Sequence, residues 1–191
     1  HPLPAIGTIH LIPVSMLQPM PCSPFKIRDD DAMQELAASI QKHGVLVPVI
    51  ARRKDDGLEL IAGHRRQHAA QMIGLDAVPV LVLDLDDDDA IIQLVDSNIQ
   101  REGVLPSERA WAYKLRMDAM KHKAGRPTKE DEENSPKISA NFRSDDSIGE
   151  KAGISGDTVR NYISLTLLVP ALMQLVDESK IGLTPAYQLT H

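Results

Sequence analysis

The densest chemistry in this sequence lies at Gly63-His64-Arg65-Arg66, where an apolar run (Leu58, Leu60, Ile61) ends and a helix-compatible segment begins. A strand, a glycine and a helix start together aim backbone N–H groups and the positive end of a helix dipole at one point, which suits an anion. Gly63 lets the backbone approach a ligand closely, and Arg65 and Arg66 add planar, permanently charged forks that match phosphate oxygens. The pattern supports phosphate or nucleotide binding; its alternative is a surface helix whose arginines pair with neighbouring acids. His64 and His68 stand four residues apart, a spacing that can hold a metal, but no glutamate lies between them and no third ligand is evident.

Two further stretches carry candidate contacts. Between Asp145 and Leu165, Ile148, Ala152, Ile154, Val159 and Tyr162 are apolar where two short crossed helices must touch. Gly149 is small at their approach, and Gly153 sits where the turn needs a left-handed residue. This pattern predicts a helix-turn-helix whose second helix enters a major groove and exposes Ser155, Gly156, Asp157, Thr158, Arg160 and Asn161. Arginine reads guanine and asparagine reads adenine, so Arg160 and Asn161 are the candidate base readers. The segment is net acidic, so phosphate affinity would need help from the basic stretch 109–129, which holds seven Lys or Arg against Asp118. That stretch also reads as an ordinary solvated helix face. In the helix before it, Ile91, Leu94, Val95 and Asn98 share one face, so Asn98 is expected to point inward, as a structural cap or as a ligand or magnesium contact.

The elements that would position these groups follow from periodicity. A strand is expected over Thr8–Leu17, confined to a sheet edge by Pro13, then a loop through Lys26. Asp29–Asp31 should cap a helix ending at His43, with Gly44 as its stop. Strands are expected at Val45–Ala51, at Leu58–Ile61 as the central one, and at Ala77–Leu83. The acidic run Asp84–Asp89 reads as a helix cap rather than a metal site, because no glycine and glutamate follow at calcium-loop spacing. A helix follows to Arg101. Pro106 should open another to Lys123, with Trp111 and Leu115 as inward anchors. Residues 125–139 read as a polar linker, Val169–Ser179 as a packing helix, and a last helix should begin near Thr184.

Composition bounds the rest. The 191 residues suffice for one large or two small domains, and aromatics at 3% require an aliphatic core. A net charge of −6 excludes an overall basic coat but leaves room for a local basic patch. One cysteine, Cys22, excludes an intrachain disulfide framework and fits a reducing, cytoplasmic setting; no apolar run has the length of a membrane span.

In this order, the motifs resemble the ParB partition-protein family from Ile9 to Leu189. Gly63-His64-Arg65-Arg66 is similar to its Gly-Glu-Arg-Arg box, Ser97-Asn98-Ile99-Gln100-Arg101 to its Glu-Asn-Ile-Gln-Arg box, and Gly44–Pro48 to its Gly-x-x-Gln-Pro segment. Leu105-Pro106-Ser107-Glu108 and the helix-turn-helix follow in the family's order. The resemblance implies an N-terminal domain that binds CTP with magnesium and closes a clamp on DNA loaded at a palindromic site. The implied nucleotide set is Gly63, His64, Arg65, Arg66, Asn98 and Arg101, with Asn98 on the magnesium and the 155–161 helix on DNA. It also implies a homodimer in the full-length protein, a partition ATPase as partner, and a nucleoid- or plasmid-associated location. His64, Ser97 and Val47 replace a glutamate, a glutamate and a glutamine of the family pattern, so CTP hydrolysis is expected to be weak or absent.

The expected architecture is α+β over residues 1–104, a small mixed sheet with packed helices that binds nucleotide, then an all-α DNA-binding domain over 105–191 with the helix-turn-helix at about 145–168. Three other readings compete: a DNA-binding adaptor with a degenerate nucleotide pocket, a nuclease on the same fold, and a sulfiredoxin-like enzyme that would need Cys22 in its site.

Overall fold

A computed structural model describes residues 4–125 and 144–190. They form two compact units, His1–Leu94 and Val95–His191.

The first unit is a mixed sheet with helices. Its strands are β1 (Ile9–Pro13), β2 (Leu17–Pro19), β3 (Val49–Lys54), β4 (Gly57–Ala62) and β5 (Ala77–Leu83), in the order β1-β5-β3-β4-β2. β3, not β4, is central. The strand expected over Thr8–Leu17 is divided: β1 pairs antiparallel with β5, a 3-10 turn at Val14–Met16 intervenes, and β2, whose Gln18 and Pro19 fall in the segment expected as a loop, pairs parallel with β4. Pro13, which has no N–H to donate, stands at the break. Both halves run in the same direction along the sheet. A flat five-stranded sheet would put its edges about 19 Å apart, far more than three residues of 3-10 helix cover at about 2 Å each. The sheet therefore curls until its edges nearly meet, and the interior fills with Ile12, Val14, Leu17, Val49, Ala51, Leu58, Leu60, Val78, Val80 and Val82.

Around this sheet lie α1 (Asp31–His43), α2 (His64–Met72) and α3 (Asp87–Asn98). Asp30 caps α1 by accepting from the Met33 amide at 2.9 Å, and Gly44, at φ 72°, ends it. Met33, Ala37 and Ile40 of α1 pack on Ala69 of α2. Asp86 caps α3 by accepting from the Asp89 amide at 2.8 Å, as the cap reading of the acidic run expects. Ala90 and Leu94 seat α3 on Met20 and Ile61. The unit boundary falls inside α3, because its last turn packs with the helices that follow. β3 starts four residues later than expected, since Val45–Pro48 precede it as a loop.

The second unit comprises α4 (Pro106–Gly125), α5 (Ser144–Ala152), α6 (Gly156–Ser164), α7 (Pro170–Asp177) and α8 (Leu183–Gln188). The expected linker, Gly125 apart, lies outside the described residues. Glu108, 2% exposed, accepts from the Leu105 amide at 3.0 Å and caps α4. Ser107 binds Asp177 through amide and hydroxyl at 2.9 and 2.6 Å, joining the start of α4 to the end of α7. Tyr113, Tyr162 and Tyr187 stack edge-to-face at 5.7 and 6.4 Å between centroids. Trp111 is not the anchor expected: it is 44% exposed, with the Lys114 ammonium 5.0 Å from its ring centroid. The buried stripe runs one position over, through Ala112, Tyr113, Arg116 and Ala119, and Leu115 lies half-buried at its margin.

Candidate functional site

Gly63 is the N-cap of α2, at φ 95° and ψ 22°. A Cβ here would lie 2.8 Å from Val49 Cγ1 and 3.0 Å from Val49 Cβ. Glycine is thus required twice, by the left-handed backbone and by the strand beneath it. No side chain caps α2. Its first-turn N–H groups have no acceptor within the helix, so the turn presents donors and a dipole end together.

The two arginines divide their work. Arg65 reaches Asp30 Oδ1 at 3.7 Å, a long and partly exposed ion pair. Arg66 is turned inward and donates through Nη1 to the Val47 carbonyl and, at 2.6 Å, to the Pro48 carbonyl. Burial lowers the Arg66 pKa from its ordinary value. Arg66 therefore holds the loop before β3, and Arg65 is the cation placed to meet an anion. His64 is half-buried with Nε2 inside. Behind them Gln67 donates to the Leu17 carbonyl at 2.8 Å, which ties α2 to the divided strand. His68 Nε2 lies 2.6 Å from Asp29 Oδ1, so it is engaged with an acid of the α1 cap. Among the described residues no three His, Cys, Asp or Glu side chains are grouped to hold a metal.

Asn98 departs from expectation. The inward phase runs through Ala90, Leu94, Val95 and then Ile99, leaving Asn98 half-buried at the shoulder, where its amide donates to Ser97 Oγ at 3.1 Å. The Arg101 amide donates to the Asn98 carbonyl at 3.0 Å, and the Arg101 side chain is half-buried. Gly63 to Arg66 belong to the first unit, Asn98 and Arg101 to the second.

The helix-turn-helix geometry is formed by α5 and α6. Gly153 turns at φ 70°, Ile148 and Val159 are buried, and a Cβ on Gly149 would lie 2.5 Å from the Ile154 carbonyl oxygen. Of the six expected DNA contacts, Ser155, Asp157, Arg160 and Asn161 are exposed and Thr158 is half-buried. Gly156 is buried against the Asp146 carboxylate, where any Cβ would collide, so it is not an exposed contact. Ser155 Oγ caps α6, accepting from the Thr158 amide at 3.2 Å.

Sequence reading missed two ion networks. Arg52, 3% exposed on β3, donates to Glu59 at 2.7 Å and to Asp87 at 2.6 Å. Arg116, counted in the basic stretch, is buried and donates to Asp96 at 2.7 Å, while Lys151 donates to the other Asp96 oxygen at 2.8 Å. Burial pushes the Asp96 carboxyl up, but the two cations outweigh it and hold its pKa below the ordinary value. Cys22 lines a cavity of about 320 Å³ with Arg52, Lys54, Glu59 and Asp87, and burial raises its thiol pKa. A thiol held protonated in this way is a poor nucleophile.

Comparison with known proteins agrees with this architecture. Residues 4–99 match the ParB N-terminal domain. The chain is 29% identical over 180 residues to the chromosome-partitioning protein Spo0J of Thermus thermophilus, covering 94% of this chain and 58% of that protein. It is 40% identical over 108 residues to stage 0 sporulation protein J of Bacillus subtilis, covering 56% of this chain and 38% of that one. It thus spans less than two thirds of either relative. The fold is shared with C-terminally truncated ParB from Caulobacter crescentus, solved complexed to the centromeric parS site, at TM-score 0.61 and 24% identity over 95% of this chain and 84% of that one. The α+β unit, the helices that follow it and the matched domain together show that this chain belongs to the ParB/Spo0J-like family.

Proposed function

We propose that this chain is the nucleotide- and DNA-binding portion of a partition-type protein, in which CTP held at Gly63–Arg66 governs how α5 and α6 engage duplex DNA. The observation that carries the nucleotide part is the left-handed Gly63 start of α2, with no side-chain cap and with Arg65 beside it. Backbone donors, a dipole end and one displaceable arginine fit the oxygens of a triphosphate. The choice of CTP rests on the family. Magnesium, when bound, would neutralise phosphate oxygens, and Asn98 is its candidate protein ligand. With His64 and Ser97 in place of glutamates, we expect binding with little or no turnover. A palindromic DNA site, a homodimer in the full-length protein, a partition ATPase partner and a nucleoid or plasmid location complete the proposal. Among the described residues no helix is long and apolar enough to cross a membrane.

One rival reading has an observation of its own. Asp30 already occupies Arg65, and Arg66 is committed to two carbonyls, which favours a DNA-binding adaptor with a degenerate pocket. Titration calorimetry of the 191-residue protein with magnesium and CTP, with ATP and GTP as controls, separates the two. Selective CTP binding, weakened roughly tenfold or more by Arg65→Ala at unchanged Tm, is expected from the loss of a charge-assisted contact. Silence for all three nucleotides would leave the adaptor.

A further inference from the structure

The second helix of the helix-turn-helix has fewer readers than its sequence suggests. Ser155 is spent on the cap of α6, where its hydroxyl also shares a hydrogen bond of 2.9 Å with Thr158. Gly156 is buried against Asp146. Arg160 is clamped: one guanidinium nitrogen pairs with Asp145 at the start of α5, and another pairs with Asp157 one turn earlier on α6. The Asp145 side chain is only 9% exposed, so Arg160 neutralises a carboxylate that water scarcely reaches. A guanidinium engaged on both sides must give up one of these acids before it can present its two-pronged face to guanine.

Two side chains remain. Asp157 is the most exposed of the clamp, with its side chain 80% accessible. One of its oxygens is held by Arg160, and the other is left to accept a hydrogen bond. Asn161 lies four residues on, exposed on the same face of α6. A carboxylate in the major groove accepts from the cytosine N4 amino group, and an asparagine amide matches adenine.

We propose, on the footing of the DNA-binding reading above, that α6 reads cytosine through Asp157 and adenine through Asn161, with Arg160 as the positioning residue that orients the Asp157 carboxylate. Four residues of helix rise by about 6 Å. Stacked nucleotides lie about 3.4 Å apart along a strand. The cytosine and the adenine therefore fall within about two base pairs of each other in each half-site.

The test is selection from a random-sequence duplex library by the full chain, run in parallel for Asp157→Ala, Asp157→Asn, Asn161→Ala and Arg160→Lys. The unchanged protein should enrich a motif with cytosine and adenine at that spacing. Asp157→Ala should flatten the cytosine position alone, by roughly tenfold in relative affinity, the usual cost of one wrong base pair. Asp157→Asn should convert that position to adenine, and Asn161→Ala should flatten the adenine. Arg160→Lys, which keeps the charge but cannot span both acids, should weaken the cytosine preference while the rest of the motif persists; a merely structural residue would weaken all positions alike. An enriched motif that ignores both Asp157 variants overturns the inference and leaves the DNA-binding reading standing. No enriched motif with any protein, circular dichroism being unchanged, overturns both. A guanine position lost in Arg160→Lys would return the reading role to Arg160 and overturn the inference.

Discussion

Replacing Gly63 by alanine tests why the turn into α2 is built as it is. The backbone at φ 95° is one that an L-residue avoids, and the added methyl would lie 2.8 Å from Val49 Cγ1 and 3.0 Å from Val49 Cβ. Left-handed backbone costs a non-glycine residue about 1–2 kcal/mol. Forcing a methyl into a well-packed interior costs about 1–3 kcal/mol more. The sum, about 2–5 kcal/mol, is a large share of a domain stability of about 5–15 kcal/mol. Native-state hydrogen exchange at the β3 and β4 amides reports this unit by itself. A Val49→Ala background removes the Cγ1 contact and keeps the Cβ contact: Gly63→Ala should cost less there than in the unchanged background, but no less than its backbone share, about 1–2 kcal/mol. The two changes should therefore be coupled. Equal costs in both backgrounds would show that the Val49 Cγ1 contact plays no part. A cost below about 1 kcal/mol in the unchanged background would refute both arguments, since the backbone share alone is at least that large.

Arg52→Met leaves Glu59, with a side chain 12% exposed, without its main cation, whereas Asp87 is largely in water and retains Lys54. Breaking a buried ion pair costs about 3–5 kcal/mol, and the partial exposure of Glu59 places this case at the lower end. Urea unfolding should show the loss, and the double variant Arg52→Met, Glu59→Leu should recover part of it. The Asp96 carboxyl is pushed up by burial and pulled down further by Arg116 and Lys151, for a net lowering. A lowered folded-state pKa means stability that is present above the unfolded-state value, about 3.9, and is lost as pH falls through the lower folded value. Asp96→Asn should therefore destabilise at neutral pH and remove part of the acid-side slope, as thermal melts from pH 7 down to about 2.5 would reveal. A slope identical in both proteins would show that Asp96 titrates alike folded and unfolded.

Much of this fold was legible because its signals are local. Asp30 and Gly44 bracket α1 by cap chemistry alone, the alternating burial of Ala77–Leu83 marks β5, and small residues at Gly149 and Gly153 betray the helix-turn-helix. Strand, glycine and basic helix start were likewise visible at Gly63. What escaped depends on partners distant in the chain. Arg52 faces Glu59 only because of the β3–β4 register, and no periodicity announces that a charged pair will be enclosed. The clamp on Arg160 is hidden as well, because the buried Asp145 reaches it only when α5 and α6 cross, to join Asp157 one turn away. Trp111 is expected to point inward, but helical phase places the smaller Ala112 and Tyr113 on the buried stripe. The stretch Thr8–Leu17 reads as one strand, and nothing in its residue pattern tells that the chain changes partner at its end.

That change of partner makes one short ribbon responsible for both margins of the sheet. Ile9–Pro13 sets its alignment against β5, Leu17–Pro19 sets its alignment against β4, and only Val14–Met16 lies between. The two registers are therefore not independent. A one-residue slip along either neighbour would turn Ile12 or Leu17 out of the interior, because side chains alternate between faces, and the short turn would drag the other half with it. The ribbon acts as a clasp: it seats in both places or in neither, and a single inserted residue at Ser15 would set its two halves against each other.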